Sequence, residues 1–309
     1  YPPGSTFKMV TALAALDAGV TTVDDTVYCR GYMELGDRKF HCWKHSGHGT
    51  VDLTESLSQS CDVYYYEMAQ RVGIDKMSAM ARLLGVGVKP DLPLSAIAEG
   101  VAPTKDWKKA RYNKDWLIGD TLNSGIGQGY VLASPLQLAV MVGRVATGRA
   151  LAPRLVQAVN DVDVPVPEAP PLGISESHLR AVRGGLFAVM NARNGTGRGS
   201  RIADDAMQMC GKTGTAQVRN ISVSERAGGV IKNDNLPWKQ RDHALFVCYA
   251  PASAPRYAVS IIVEHGGGGS TAAAPIARDI LLQALYDGFP PLTAYPESQR
   301  SRIEAERAN

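Results

Sequence analysis

Tyr1-Pro2-Pro3-Gly4-Ser5-Thr6-Phe7-Lys8-Met9-Val10 opens the chain, and its reading organises everything after it. Pro2, Pro3 and Gly4 form a stiff turn signal. A helix is expected from about Ser5 through Ala18, with Gly19 placed to cap its end. Ser5 and Lys8 are three apart and share one face of the first turn. Helix starts favour acids, yet the only charge here is a lysine. The positive end of the helix dipole and burial both disfavour a protonated amine. The stretch therefore predicts an uncharged Lys8 touching the Ser5 hydroxyl, a nucleophile beside its base. Serine at a helix start with lysine three residues on is also common by chance, so later residues decide.

The chain has 309 residues, 45% of them apolar, enough for a sizeable core. Its 20% charged residues and net charge of +3 describe a solvated surface and exclude a nucleic-acid partner on charge grounds. No stretch approaches the roughly 18 apolar residues of a membrane span. The chain opens inside a motif without a starting methionine, which reads as a fragment whose anchor or targeting segment lies upstream. The five cysteines, Cys29, Cys42, Cys61, Cys210 and Cys248, are an odd set for a simple disulfide scaffold.

Residues 20–50 read as irregular. Leu53–Val72 carries a loose apolar stripe and is expected as one helix. Asp75–Leu84 is a short helix, followed by a long loop through about Lys114. Pro135–Thr147 and Ser175–Asn191 read as helices with start signals. Leu151–Val166 reads as short strands and a loop. Strands are expected at Ala206–Cys210, Ala244–Tyr249 and Tyr257–Val263, the last two as a hairpin turning at Pro255 and Arg256. Between the first two lies a polar excursion, Asn220–Arg241. A closing helix, Ala274–Tyr286, is expected to bury Ile276, Ile280, Leu281 and Leu285. The fold class is α/β in the α+β sense: a late antiparallel sheet covered by helices, plus a mainly helical subdomain. Residues 1–290 form the domain, with a helical part at about 20–150 and a sheet part from 1–20 and about 150–290. Residues 291–309 read as a solvated tail.

Two further strings carry chemistry. Cys210-Gly211-Lys212-Thr213-Gly214-Thr215 puts a lysine and two threonines between glycines that leave room along a strand. Such an edge suits an extended substrate carrying a carboxylate; a glycine-kinked strand gives the same string. Ser60-Cys61-Asp62 supplies a hydroxyl, a thiol and a carboxylate in the second helical region, where ordinary polar positions do so too.

Taken in order, Ser5-Thr6-Phe7-Lys8, Ser60-Cys61-Asp62 and Lys212-Thr213-Gly214 resemble the three motifs of penicillin-binding proteins and class A serine β-lactamases. The flanking Tyr1-Pro2-Pro3-Gly4, Gly47-His48-Gly49, Gly125-Ile126-Gly127-Gln128-Gly129, Leu236-Pro237-Trp238-Lys239 and Arg241-Asp242-His243-Ala244 narrow the resemblance. It is to the class B, elongation-specific penicillin-binding protein 2 group of Gram-negative bacteria, over about residues 1–290. Asp62 stands where many relatives have Asn. It loses the amide donor and favours a protonated lysine nearby, and that group carries Asp here.

The resemblance implies the transpeptidase fold and a peptidoglycan D,D-transpeptidase inhibited by β-lactams. Ser5 would be acylated by a stem peptide, Lys8 would take its proton, and Ser60 would relay a proton to the leaving amine, held by Lys8 and Lys212. The amides of Ser5 and Thr215 would form the oxyanion hole, and Lys212, Thr213 and Thr215 would hold the substrate carboxylate beside Gly214. No cofactor is implied for catalysis. Implied partners are stem peptides, β-lactams, a glycan-polymerising membrane protein and a scaffold protein of the elongation machinery. The implied location is the inner membrane, with the catalytic domain in the periplasm. The alternatives are a D,D-carboxypeptidase, a serine β-lactamase and a non-catalytic penicillin-sensing domain. Glu55 and Glu99 are conceivable deacylation bases, but neither lies in the β-lactamase pattern.

Cys29, Cys42, His48 and Cys61 form a donor set that tetrahedral zinc accepts, at spacings wider than a compact zinc finger, with His41 and His45 competing for the imidazole place. The alternatives are three scattered buried thiols, or one disulfide with a spare. The resemblance favours a structural zinc with His48 and Cys61 as ligands, Cys42 and Cys29 filling positions that relatives give to Asp. Cys210 and Cys248 read as buried small residues or a disulfide. Trp107, Trp116 and Trp238 read as loop-packing residues or as groove lining.

Overall fold

The computed structural model describes residues 1–219, 221, 222, 225, 229–286 and 288–308. The chain opens with a 3₁₀ turn, Gly4–Phe7, that runs into helix α1, Lys8–Asp17. Every residue from Lys8 to Leu16 is buried, as an apolar all-round helix must be in a domain core. Gly19 closes it at φ +65.

Residues 20–50 contain two short antiparallel pairs: β1 (Val27–Cys29) with β4 (Gly49–Val51), and β2 (Tyr32–Leu35) with β3 (Arg38–His41). Strands of three or four residues are too short to show a period in sequence. The expected helix Leu53–Val72 is two helices, α2 (Leu53–Ser58) and α3 (Asp62–Val72). The break falls on Ser60, at φ +56, and on extended Cys61. Helix α4, Ile74–Leu83, follows Gly73.

The expected long loop holds α5, Lys105–Tyr112, a mostly charged helix capped by Thr104, whose hydroxyl accepts from the Trp107 amide at 3.0 Å. It lacks an apolar stripe, which is why periodicity misses it. Then come α6 (Ile118–Gly125), α7 (Pro135–Thr147), the small hairpin β5 (Ala158–Val159) and β6 (Val162–Asp163), and α8 (Glu176–Asn191).

The late sheet runs β7 (Cys210–Ala216), β8 (His243–Ala250), β9 (Tyr257–Val263), antiparallel in that order. The first strand was expected at Ala206–Cys210; it begins where that reading ends. Pairing with β8 decides it, because Lys212-Thr213-Gly214 has little hydrophobicity of its own. The alternation of β8 divides the core: Leu245, Val247 and Tyr249 join α1 and α3, while Ala244, Phe246, Cys248 and Ala250 join the cluster around α9 (Ala274–Leu285). Part of the polar excursion 220–241 lies outside the described residues.

Two expectations change here, and one pair of open readings is decided. Helix α9 exposes Ile276 and Ile280 and buries Ala277, Leu281, Leu282 and Leu285. Ala273, just before it, and its own Ala274 and Ala277 lie fully buried in the second core, which turns the larger isoleucines outward. The tail is not merely solvated: it forms α10, Glu297–Ala308, and Ala294, Tyr295 and Ile303 enter the second core. Fully buried Arg278 fastens it, donating from Nη1 to Gln299 Oε1 at 2.5 Å and lying over the Tyr295 ring. Lastly, Cys210 pairs with Tyr249 and Cys248 with Gly211, so the two thiols point to opposite faces of the sheet and both are free. No helix among the described residues is long and apolar enough to cross a membrane.

Candidate active site

A cleft of about 1500 Å³ lies between the helical part and the sheet. Ser5, Ser60, Asp62, Thr213, Gly214 and Thr215 line it together, so one space collects residues from all three motifs. Lys8 and Lys212 are fully buried.

Ser5 is aimed by the residue before it. Gly4 adopts φ +54 and presses on β7, where an added Cβ would stand 2.4 Å from the Thr215 carbonyl oxygen. Only glycine reaches that conformation and that approach without cost. The Gly4 amide donates to the Gly127 carbonyl at 2.9 Å, and Gln128 Nε2 donates to the Thr215 carbonyl at 3.0 Å. The segment 125–129 thus ties the Ser5 turn to the strand.

Lys8 Nζ donates to Asp62 Oδ1 at 2.7 Å, to the Ser60 carbonyl at 2.8 Å and to Ser60 Oγ at 3.1 Å. Lys8 was expected to be uncharged and against Ser5. Among the described residues, no hydrogen bond joins it to the Ser5 hydroxyl, and it forms a buried ion pair with Asp62 instead. Burial pushes the Asp62 carboxyl above the ordinary carboxylate range, with the Lys8 ammonium pulling it back. The desolvated amine is Lys212. Burial, and then the charge of Lys8, hold it well below the ordinary lysine value, and its Nζ donates to the Thr213 carbonyl at 3.2 Å. Thr213 Oγ1 in turn lies 2.9 Å from Thr196 Oγ1.

Behind the second motif, the donor atoms of Cys29, Cys42, His48 and Cys61 lie within 4.8 Å of one another. His48 Nδ1 is 3.6 Å from Cys29 Sγ and 3.5 Å from Cys42 Sγ. The Asp62 amide donates to Cys42 Sγ at 3.3 Å, so the cluster abuts the second motif. His41 and His45 lie outside it, on the cleft wall. Of the tryptophans singled out from sequence, Trp116 lines the cleft, while Trp107 packs on Tyr112 and Tyr130 and Trp238 on His265. Sequence reasoning missed Trp43. Its amide donates to Asp62 Oδ2 at 2.9 Å and its indole N–H reaches the Ser60 carbonyl at 3.1 Å. The only signal was its position directly after Cys42. Glu55 is occupied in the capping box of α2, and among the described residues lining the cleft there is no glutamate.

A serine on a glycine-set turn, a buried lysine joined to a second hydroxyl, and a strand with a desolvated lysine form an arrangement suited to acyl transfer on a helix-and-sheet scaffold. Residues 1–282 match the penicillin binding protein transpeptidase domain, and the chain belongs to that family. Among named relatives, the chain is similar to the peptidoglycan D,D-transpeptidase MrdA of Haemophilus influenzae. The two are 35% identical over 316 residues, covering 99% of this chain and 48% of that protein. It is also similar to MrdA of Acinetobacter baumannii, at 36% identity over 88% of this chain and 41% of that one. The crystal structure of Pseudomonas aeruginosa PBP2 in complex with WCK 5153 superposes with a TM-score of 0.81 at 35% identity, over 94% of this chain and 62% of that one. PBP2 of Helicobacter pylori in complex with MreC does so at 0.79 and 33%, over 92% and 50%. The chain spans about half the length of the MrdA relatives it matches.

Proposed function

We propose that this chain carries the catalytic site of a peptidoglycan D,D-transpeptidase. The observation that carries the reading is the junction of motifs: Lys8 bonded to both Ser60 and Asp62 beneath a cleft lined by Ser5 and Thr213-Gly214-Thr215. Ser5 Oγ attacks the carbonyl carbon between two terminal D-alanines. The Oγ–H proton passes to Lys8, whose own shared proton moves toward Asp62 Oδ1. The developing oxyanion is met by the amides of Ser5 and Thr215, and such donors contribute about 3–4 kcal/mol each in comparable sites. The C–N bond then breaks, Ser60 Oγ relays a proton from Lys8 to the leaving amine, and D-alanine departs. The amine of a neighbouring stem peptide attacks the ester, the new amide forms, and Ser5 regains its proton. Lys212 and the hydroxyls of Thr213 and Thr215 hold the terminal carboxylate, with Gly214 leaving the strand open. A β-lactam presents the same carboxylate and carbonyl and stays on Ser5.

The lack of a cleft glutamate among the described residues favours this reading over a β-lactamase. A carboxypeptidase shares the acylation half and differs only in using water as acceptor. A penicillin-sensing domain would be acylated without turnover. The H. pylori PBP2–MreC complex and a peptidoglycan synthase structure at 29% identity and TM-score 0.75 support a scaffold protein and a glycan-polymerising membrane protein as partners. The likeness to the MrdA peptidoglycan D,D-transpeptidases supports a periplasmic site on an inner-membrane protein.

We also propose that Cys29, Cys42, His48 and Cys61 hold a structural zinc. Bonds of about 2.1 Å to nitrogen and about 2.3 Å to sulfur give tetrahedral N···S edges of about 3.6 Å. The 3.5 and 3.6 Å separations from His48 Nδ1 match them. The ion would fasten the 29–48 segment to the turn bearing Ser60 and would take no part in the chemistry.

Labelling with a fluorescent penicillin followed by peptide mapping tests the assignment. The expected adduct is on Ser5 and is released slowly. Adduct at another residue, or none on folded protein, overturns it; rapid release points to a β-lactamase.

A further inference from the structure

Ser60 stands in a conformation that its own chemistry does not favour. Its φ of +56 lies in the left-handed region, which a non-glycine residue enters only at a cost. Strain of that kind persists only where neighbours over-determine it. The turn also has to be accurate, because it sets Ser60 Oγ 3.1 Å from Lys8 Nζ. Two groups grip its carbonyl: Lys8 Nζ at 2.8 Å and Trp43 Nε1 at 3.1 Å. The same indole N–H lies 3.1 Å from the Gln59 carbonyl, one residue earlier. The main chain of Trp43 meanwhile donates to Asp62 Oδ2 at 2.9 Å, leaving Oδ1 to Lys8.

Trp43 also faces the cysteine and histidine cluster. It follows Cys42, and its ring meets the His48 ring edge-on with centroids 5.5 Å apart. A tryptophan retained for packing is largely buried; this one is 59% exposed and lines the cleft. Little apolar burial holds it there, whereas its two N–H groups both end on the second motif.

We infer that Trp43 is a positioning residue for acylation: its indole N–H fixes the Ser60 turn, so that Ser60 Oγ stays against Lys8, and its amide orients Asp62 for the same lysine. The inference deepens the acyl-transfer reading and rests on it. Removing the indole N–H while keeping an aromatic ring leaves the cleft wall and the His48 contact in place. It leaves the Ser60 carbonyl to Lys8 alone; the Ser60 amide on the Leu57 carbonyl at 3.2 Å and the Cys61 amide on the Ser56 carbonyl at 2.9 Å still close the turn, so what loosens is the aim of Ser60 Oγ.

The test is Trp43→Phe in the intact protein, with single-turnover acylation by a chromogenic cephalosporin resolved into the binding constant and the acylation rate constant. Loss of one hydrogen bond of ordinary strength is expected to lower the rate constant roughly 3- to 10-fold. The binding constant, melting temperature and bound metal are expected to stay at wild-type values. An unchanged rate constant overturns the inference. So does a loss confined to the binding constant, or one that tracks a fall in melting temperature, since either marks a wall or a structural role. If Trp43→Phe does not fold, a tryptophan analogue with sulfur in place of the indole N–H, placed at position 43, is measured by the same criteria. Wild-type protein that is not acylated at all defeats the acyl-transfer reading itself. Acylated wild type with an equally fast variant defeats only the role of Trp43.

Discussion

Replacing Gly4 with Ala asks whether the nucleophile is set by the contact of its turn with β7. An added Cβ at Gly4 would lie 2.4 Å from the Thr215 carbonyl oxygen, 3.0 Å from the carbonyl carbon and 3.2 Å from the amide nitrogen. Bringing 2.4 Å up to the 3.0 Å that Cβ contacts require separates the two segments by about 0.6 Å. Neither side has a flexible end to give way. Gly4 is bonded to Gly127, and β7 is paired with β8 along its whole length. The displacement therefore falls on the Ser5 and Thr215 amides proposed for the oxyanion hole. A 1 Å misplacement near the chemistry costs on the order of 10²-fold, so acylation by a β-lactam is expected to fall roughly tenfold. Left-handed alanine adds about 1–2 kcal/mol of destabilisation, a drop of about 2–8 °C in melting temperature at 2–4 °C per kcal/mol. Stopped-flow acylation and a thermal melt measure both. A Gly4→Ala protein that acylates within twofold of wild type refutes the account of how Ser5 is aimed.

Lys212→Met is expected to flatten the rise of stability with pH. The folded protein holds the amine well below its ordinary value of 10.5, so between the depressed value and 10.5 the unfolded chain binds the extra proton. Stability in that window increases with pH by up to about 1.4 kcal/mol per unit; urea unfolding of wild type and variant at several alkaline pH values shows whether the difference has that sign. His48→Ala is expected to lower bound zinc and melting temperature and to slow acylation indirectly, and full metal content with unchanged melting in that variant contradicts the zinc site. Because the register turns Cys210 and Cys248 to opposite faces, titration of denatured, unreduced, chelator-treated protein is expected to find five thiols, and a disulfide mapped between Cys210 and Cys248 would contradict the register.

The three motifs were legible because each is a short string whose order along the chain carries the information. Their juxtaposition was not. Sequence shows that Ser5 and Lys8 share a helical face; it does not show that the helix breaks at Ser60 and swings Asp62 onto Lys8. The break has no proline or glycine to mark it, only a serine at positive φ whose turn is closed by the Ser60 and Cys61 amides on the Leu57 and Ser56 carbonyls, with Lys8 and Trp43 holding the Ser60 carbonyl from elsewhere. The same limit explains strand β7. A run such as Lys212-Thr213-Gly214 lacks β-propensity and becomes a strand because β8 pairs with it. Helix α9 shows the complementary error: the two isoleucines outrank the alanines in hydrophobicity, yet close packing selects the small side chains. The donor set Cys29, Cys42, His48 and Cys61 was the long-range feature that sequence did indicate. Thiols and imidazole are scarce enough that four within one region already suggest a cluster.

Two lysines meet beneath one cleft, and their surroundings assign them different work. Lys8 has three acceptors for its three protons, one of them the Asp62 carboxylate, and the face of the Tyr65 ring 5.5 Å away. Lys212 has one neutral carbonyl at 3.2 Å and feels the positive charge of Lys8. A buried cation needs a counter-charge, and among the described residues none is in contact with Lys212. An arriving carboxylate supplies it. Under the proposed function, substrate or β-lactam binding is then expected to be coupled to protonation of Lys212, in a way that Lys8, already paired, cannot share. Calorimetry on a Ser5→Ala protein, where acylation is blocked, separates this from the chemical step. In buffers of differing ionisation enthalpy at mildly alkaline pH, carboxylate-bearing β-lactams are expected to bind with net proton uptake, and Lys212→Met added to Ser5→Ala is expected to abolish it. Binding with no proton linkage in the Ser5→Ala protein would mean that Lys212 is already charged in the empty cleft, and that burial does not govern its ionisation.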